Sequence, residues 1–283
     1  MIYRSFALLA AAAVLSSCVK DVLSNTPHPE SGAVVLSSDF TERSQASDVP
    51  ADYMVSHMCC GREESCTMPQ SGEGCLPWLF NPGSHELHAW TSCAGMDVEN
   101  GTVAVEETAP GMVDPMPGYL FAGACGFEAV KDDTVHVVLP MLQRTRDIRF
   151  ILTVTEGNPE LISSVAGTLS GIAGAFSIAE QKIAGNPVST SLAFTRSGAE
   201  LVAAARLLGT AGSSQTLTLE VRFIDRADVH VVEVDLTGAM SGFNSDMTAV
   251  REIRGEVETP IGMDVTAGII GWKDVAGEAE DAM

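Results

Sequence analysis

The sequence predicts an all-β protein built mainly from antiparallel β-sandwich domains. Apolar and polar residues alternate with a period of two along many short segments, and long stripes with the 3.6-residue period of helices are almost absent. Glycine and proline residues lie between these segments, as turns between strands require. The length of 283 residues allows two domains, because a domain typically holds roughly 100 to 200 residues.

The clearest strand covers residues 216–223, where four apolar residues alternate with four polar ones. Such alternation is typical of a strand with one buried face and one solvated face. A turn at 225–228 leads to a second strand at 229–236, so the two segments predict an antiparallel hairpin. Further strands are predicted at 33–36, 53–56, 85–90, 119–124, 134–139, 149–155, 161–169, 188–194, 251–257 and 264–272.

Two local signals refine this assignment. Asn100-Gly101 separates two short alternating segments and predicts a hairpin with a type I′ turn. Residues 200–208 contain three consecutive alanines, Ala203 to Ala205, which favour helix by intrinsic propensity. Apolar residues nevertheless alternate there, so a strand is expected. The glycines of 167–174 do not match a dinucleotide-binding pattern and are expected to allow a tight turn.

The N-terminus has the pattern of a secretory signal that ends at a cysteine. Arg4 precedes an apolar run of about ten residues, too short to span a membrane, and Leu15-Ser16-Ser17 leads directly into Cys18. Small residues before a cysteine resemble the lipobox of bacterial lipoproteins, in which the cysteine is acylated after cleavage. Residues 1–17 are therefore expected to be a lipoprotein signal peptide, with Cys18 lipidated and 18–32 a tether to the outer membrane.

The charge balance and the motif content exclude several functions. There are 37 acidic and 16 basic side chains, for a formal net charge of -21, so electrostatic capture of nucleic acid lacks its driving force. Neither a P-loop nor a nucleophile elbow nor a zinc-protease motif occurs. The sequence thus predicts a protein that is not an enzyme, uses no cofactor and binds no nucleic acid.

The cysteines after Cys18 are confined to the first half of the chain. They lie at Cys59, Cys60, Cys66, Cys75, Cys93 and Cys125. In an exported chain these residues are candidates for disulfide bonds, although the sequence cannot choose among the pairings. The alternative is a soft-metal site formed with His57, Met58 and Met68. We favour disulfides over this site because no Cys-x-x-Cys spacing is present.

The cysteine distribution also suggests a domain boundary. No cysteine follows Cys125, Pro140 ends a predicted strand, and Arg144-Thr145-Arg146 comes soon after. We predict an N-terminal β-sandwich at 33–140 with a cysteine-rich insertion, and a C-terminal β-sandwich at 141–283.

His85 and His88 lie three residues apart on a predicted strand, so they are expected on opposite faces and at the surface. The tryptophans Trp78, Trp90 and Trp272 are expected in the core rather than stacked on sugars.

From residue 119 onward, the order of motifs resembles the fimbrial anchor and accessory lipoproteins of the type V pili of Bacteroidia. The similarity depends on the order of several short motifs over most of 33–275. These are YLFAG at 119–123, VHVVLPM at 135–141, VAGTLSGIAG at 165–174, GFN at 242–244 and GW at 271–272, with DVPADY at 48–53 and LFNPGSHEL at 79–87 resembling the family more loosely.

The resemblance implies two transthyretin-like antiparallel β-sandwich domains in tandem, a lipidated N-terminus and a role in holding or capping a fimbrial polymer. The pilin subunits of such fimbriae would be the partners, joined by addition of a strand from one subunit to another. The segment 57–75 departs from the family, because it is cysteine-rich where a short connection is usual. The alternative function is that of a surface glycan-binding lipoprotein.

Overall fold

The computed structural model describes residues 30–59, 62–224, 227–258 and 268–275. The predicted signal peptide, Cys18 and nearly all of the predicted tether lie outside these ranges. No described segment is a helix with the length and hydrophobicity needed to cross a membrane. The described residues include two short 3₁₀ helices, at Pro159–Leu161 and Phe243–Ser245.

The described residues form twenty strands. In chain order they are β1 (Ala33–Asp39), β2 (Asp52–Cys59), β3 (Arg62–Pro69), β4 (Glu73–Cys75), β5 (Gly83–Trp90), β6 (Met96–Glu99), β7 (Thr102–Val105), β8 (Glu107–Ala109), β9 (Met112–Val113), β10 (Phe121–Ala129), β11 (Thr134–Pro140), β12 (Leu142–Gln143), β13 (Arg146–Glu156), β14 (Ile162–Ser177), β15 (Lys182–Ser197), β16 (Glu200–Leu207), β17 (Thr216–Phe223), β18 (Val229–Asp235), β19 (Arg251–Glu258) and β20 (Gly268–Val275).

This architecture confirms the predicted all-β sandwich fold. In β17 the apolar residues are buried and the polar residues are half-buried or exposed, as the alternation predicts. The strand β16 is confirmed against the helix propensity of its alanines, because Leu201, Ala203, Ala205 and Leu207 are all buried. Burial of one face by neighbouring strands therefore outweighs intrinsic propensity here.

The predicted β6–β7 hairpin is also confirmed. Asn100 has φ 51° and Gly101 has φ 71°, the two positive angles that a type I′ turn requires. The glycines of 167–174 do not form the expected tight turn, however, and that expectation is wrong. They lie inside β14, where the register against β15 shifts around Gly171, which has φ 74°. A Cβ at Gly171 would lie 2.0 Å from the carbonyl oxygen of Ser214, so only glycine fits this bulge.

The strands form three sheets. One has the order β11-β1-β4, a second the order β12-β10-β5-β2-β3, and the largest runs β18-β17-β14-β15-β16-β13-β19-β20. Most pairs are antiparallel, but β1 pairs with β11, β13 with β19, and β15 with β9 in parallel. The first and the largest sheets are therefore mixed, whereas the second is purely antiparallel. The long β15 pairs with β14 through residues 182–194 and with β16 through residues 195–197.

Two hydrophobic clusters form the core. The smaller includes Val34, Val55, Leu87 and Phe121, all from the first half of the chain. The larger is built mainly from residues 148–257 but also includes Trp90, Met96 and residues of β7 and β9. The strands β7 and β9 pair with β14 and β15, so the segment 96–113 joins the sheet of the second half. The division into tandem domains at residue 140 stays a prediction.

The predicted cysteine-rich insertion is part of a sheet. The strand β3 pairs with β2 along eight residues, and β4 pairs with β1. Sequence alternation does not indicate β3, because its first residues, Arg62, Glu63 and Glu64, are exposed charges at a sheet edge. Charged residues at such an edge oppose pairing with another chain.

Candidate interaction sites

The strand β18 is the last strand of the largest sheet. It pairs with β17 on one side through seven residues. The strand β20, at the other end of the same strand order, comes within 8 Å of β18 between Cα atoms, and no pairing joins the two in the described residues. Val231 on β18 is 60% exposed, and Ile224 at the end of β17 is 70% exposed. This edge thus combines unpaired backbone groups with exposed apolar side chains.

His57 and His85 form a hydrogen-bonded pair inside an aromatic cluster. The distance between His57 Nε2 and His85 Nδ1 is 3.1 Å, and both rings contact Phe80. His85 also stacks on Phe127. The two histidines come from β2 and β5, which are neighbours in the second sheet. His57 is only 4% exposed, so the pair belongs largely to the protein interior.

The hydrogen bonds determine the tautomers of this pair. His85 Nε2 lies 2.7 Å from the carbonyl oxygen of Asn81, which can only accept, so Nε2 carries the proton. His85 Nδ1 then accepts from His57 Nε2–H, and His57 Nδ1 is left without a proton. His57 Nδ1 is buried and has no hydrogen-bond partner in the described chain. Burial, and then the neighbouring His85, lower the pKa of His57.

The expected surface position of His85 and His88 is therefore wrong. His85 packs between Phe80 and Phe127, and the side chain of His88 is only 14% exposed. The two do lie on opposite faces of β5, as residues three apart on a strand must. His88 Nε2 is 3.6 Å from Glu86 Oε1.

The predicted disulfide bonds are not shown by the structure. Cys66, Cys75, Cys93 and Cys125 are free thiols on separate elements. Cys66 on β3 and Cys125 on β10 lie in one sheet with β5 and β2 between them, about 14 Å apart at the usual spacing between strands. A disulfide requires Cα atoms within about 7 Å. The side chains of Cys59 and Cys60, like Cys18, lie outside the described residues.

Burial suppresses the reactivity of three of the four described thiols. It raises the pKa of Cys93 and of Cys125 to about 11, and it also raises the pKa of Cys66. Thiols with such pKa values hold little of the nucleophilic thiolate near neutral pH. Cys75 is exposed.

The alternative soft-metal site is not assembled by the described residues. No group of three or more His, Cys, Asp or Glu side chains in them is arranged to hold a metal ion. His57 points into the interior, whereas Met58, the next residue on β2, is 60% exposed and lies on the opposite face. Of the tryptophans, Trp90 is buried in the larger cluster, Trp78 packs against the smaller one, and the side chain of Trp272 lies outside the described residues.

Two adjoining cavities lie where the two halves of the chain meet. One, of about 480 Å³, lies between the loop at 41–43 and the loop at 244–248. The other, of about 360 Å³, lies beside Phe176 and Gln181. Arg144, Asn244 and Met247 line both cavities, which we name the Arg144 groove. The sequence signals this place only weakly, through the Arg144-Thr145-Arg146 run after β12.

The described chain is thus an all-β sandwich protein with an open sheet edge and a polar groove. No family model matches it, and no curated protein matches it. Several solved structures do match this chain. The fimbrial anchor protein Mfa2 from Porphyromonas gingivalis aligns with a TM-score of 0.63 at 14% identity, covering 86% of this chain and 97% of that one.

Two further structures have the same fold. A protein from Bacteroides ovatus described as an adhesin aligns with a TM-score of 0.60 at 13% identity, over 86% of this chain and 93% of its own. One from Bacteroides thetaiotaomicron described as polysaccharide-binding aligns with a TM-score of 0.60 at 11% identity, over 80% and 92%. At identities this low, the structural alignments establish the shared fold alone.

Proposed function

We propose that this chain is an outer-membrane lipoprotein that acts as an anchor or accessory subunit of a fimbria. The observation that carries the proposal is the structural match to a fimbrial anchor protein over 86% of this chain and 97% of the other. The match covers nearly the whole of that anchor, so most of this chain has a counterpart in it.

The attachment to the membrane is assigned to Cys18. The apolar run before it and the small residues next to it support cleavage and acylation at this position. Each buried methylene of an acyl chain contributes about 0.8 kcal/mol, so two or more chains hold the protein stably without a basic surface. This mode of anchoring suits a chain with a net charge of -21, which anionic headgroups would repel.

The attachment to the fimbria is assigned to β18. In the described residues β18 has no strand partner on its outer side, so its backbone groups there can accept an additional strand, and main-chain hydrogen bonds would provide the affinity. The exposed Val231 and Ile224 would be covered by side chains of the added strand or its flanks. The edge formed by β3 begins with three consecutive exposed charges, which disfavour such pairing, whereas the exposed charges of β18, Glu233 and Asp235, are confined to its second half.

Cell fractionation and recovery of fimbriae test the proposal together. Wild-type protein is expected in the outer-membrane fraction, and a pull-down with tagged protein from sheared fimbriae is expected to recover pilin. Cys18→Ala should move the protein to the soluble fraction without changing its binding to sheared fimbriae. Retention of the Cys18→Ala protein in membranes would contradict anchoring by a lipid on Cys18. Recovery of no pilin together with binding to a surface polysaccharide would favour a glycan-binding lipoprotein instead.

A further inference from the structure

We propose that the Arg144 groove binds an acidic saccharide unit, with the guanidinium of Arg144 holding its carboxylate. The two cavities, of about 480 and 360 Å³, fall within the range typical of small-molecule sites, roughly 300 to 1,000 Å³. Arg144 lies between them and faces both. This inference stands independently of the fimbrial role.

The donors of Arg144 are only partly used by the protein. Its Nε donates to the carbonyl oxygen of Ala122 at 3.2 Å, and its Nη2 donates to Gln181 Oε1 at 2.5 Å. A guanidinium has five N–H groups, so three remain after these two bonds. The contact with the Phe176 ring, 5.2 Å from the guanidinium carbon to the ring centroid, holds the plane of the group in place. The remaining donors are thus pre-positioned for a bidentate acceptor.

Arg144 has no carboxylate partner within ion-pair distance in the described residues, although it is half-buried. Arg206, which is also half-buried, shows the contrast, because its Nε atom binds Asp147 directly. Burial lowers the pKa of Arg144. A guanidinium is not deprotonated in proteins, so the group is a cation that has no ion-pair partner in the described residues. A ligand carboxylate would supply that charge.

The neutral side chains of the groove have little capacity left for a ligand. Gln143 accepts from Ser44 N and donates to the carbonyl oxygens of Thr145 and Met247. Asn244 exchanges hydrogen bonds with the backbone of Thr210. Binding capacity therefore remains mainly on charged side chains.

These charged side chains have both signs. Arg43 adds donors beside Arg144, whereas Glu42 and Asp246 Oδ2 add acceptors. Lys182 pairs with Glu180 at 3.3 Å, and Asp246 Oδ1 already accepts from Thr248 and Ala249. A bare anion would use only the donors and would leave the carboxylates of the groove without a partner. A hexuronic acid carries one carboxylate for the cations and several hydroxyl groups that can donate to Glu42 and Asp246. The mixed lining therefore favours an acidic sugar over a simple oxyanion or a neutral sugar.

Titration of the full-length protein, purified from membranes, with glucuronate, glucose and inorganic sulfate tests this assignment. We expect glucuronate to bind at least about tenfold more tightly than glucose or sulfate, with an affinity that falls as salt is added. Arg144→Gln should weaken glucuronate binding about tenfold or more, since it removes charge-assisted hydrogen bonds. Arg149→Gln is the matched control, because Arg149 is exposed outside the groove, and it should change the affinity less than about twofold.

Equal glucuronate affinity in wild type and Arg144→Gln, or no glucuronate binding, would overturn the assignment. If sulfate binds as tightly as glucuronate, the groove is a general anion site, and its assignment to an acidic saccharide is overturned. If Arg144→Gln does not fold, the exposed Arg43→Gln replaces it and should weaken binding severalfold, and an unchanged affinity would count against the proposal. None of these results depends on whether fimbriae are recovered.

Discussion

The hydroxyl of Tyr119 donates to Asp147 Oδ2 at 2.6 Å. The other oxygen of the same carboxylate, Oδ1, accepts from Arg206 Nε at 2.7 Å, and the Arg206 guanidinium lies 3.5 Å from the centroid of the Tyr119 ring. Arg206 Nη1 also donates to the carbonyl oxygen of Pro117 at 2.9 Å. This cluster fastens the segment before β10 to β13 and β16, and so links the first half of the chain to the second.

Loss of the Asp147 carboxylate should destabilise the protein. Its side chain is 23% exposed and that of Arg206 is 15% exposed, so Asp147→Asn leaves a mostly buried cation without its counter-charge. We expect the free energy of unfolding to fall by about 2 kcal/mol or more, measured by urea denaturation. Asp97→Asn, at an exposed position, is the control and should stay within about 0.5 kcal/mol. An equal effect of the two substitutions would contradict this role.

Gly101→Ala should destabilise the β6–β7 hairpin through backbone strain alone. Gly101 has φ 71°, and a Cβ there would meet no atom within 4 Å. The left-handed conformation costs a residue with a Cβ about 1–2 kcal/mol, which should appear as a lower free energy of unfolding. Gly238→Ala, also without a neighbour within 4 Å but without positive φ, should be nearly neutral. A neutral Gly101→Ala would refute the type I′ turn.

The His57–His85 pair should make stability depend on pH in the acidic range. The pKa of His57 is lowered in the folded protein, so below about pH 6.5 the unfolded chain takes up a proton that the folded chain does not. Stability is therefore fully present above pH 6.5 and is lost as pH falls toward the folded pKa, at up to about 1.4 kcal/mol per pH unit.

His57→Gln should remove this part of the pH dependence. The groups that face His57 electrostatically, His85, Glu64 and His88, are retained in that variant. The measurement is urea denaturation between pH 7 and pH 5. His136→Gln is the control, since the side chain of His136 is 65% exposed and should leave the slope unchanged. Identical slopes for wild type and His57→Gln would contradict a lowered pKa of His57.

The thiols should react in an order set by burial. Cys75 is exposed, whereas the pKa of Cys93 and of Cys125 is raised to about 11, which leaves about one thiolate in a thousand at pH 8. Alkylation of native protein followed by peptide mass analysis should find Cys75 modified first. After denaturation without reductant, Cys66, Cys75, Cys93 and Cys125 should all be modified. Any of the four left blocked until reductant is added would restore the disulfide prediction for that residue.

The sequence predicts the strands well where one face is buried and the other is solvated. The alternation in β16 and β17 reports the core directly, and Asn100-Gly101 specifies its turn through local φ preferences. The strand β3 escapes prediction because both of its faces begin with exposed polar residues. A periodicity of two identifies a half-buried strand and carries no signal for an exposed edge.

The candidate sites were harder to predict because they depend on pairing between distant strands. His57 and His85 are 28 residues apart, and only the pairing of β2 with β5 brings them together. The Arg144 groove joins 41–43 to 244–248 across nearly the whole chain. The glycine at 171 signals a turn and a bulge equally, and the carbonyl of Ser214 that requires it lies 43 residues away.

Site-specific photocrosslinking from β18 in fimbriated cells tests the central claim most directly. A crosslinking residue at Val231, 60% exposed on the open edge, should capture a pilin subunit in intact fimbriae. The same residue at Met58, 60% exposed on β2, is the matched control and should capture far less, because β2 lies between β3 and β5 and offers no free edge. Capture of pilin at Val231 above the Met58 level would support strand addition at β18. The absence of any pilin adduct at either position, in cells whose fimbriae are intact, would contradict a fimbrial subunit.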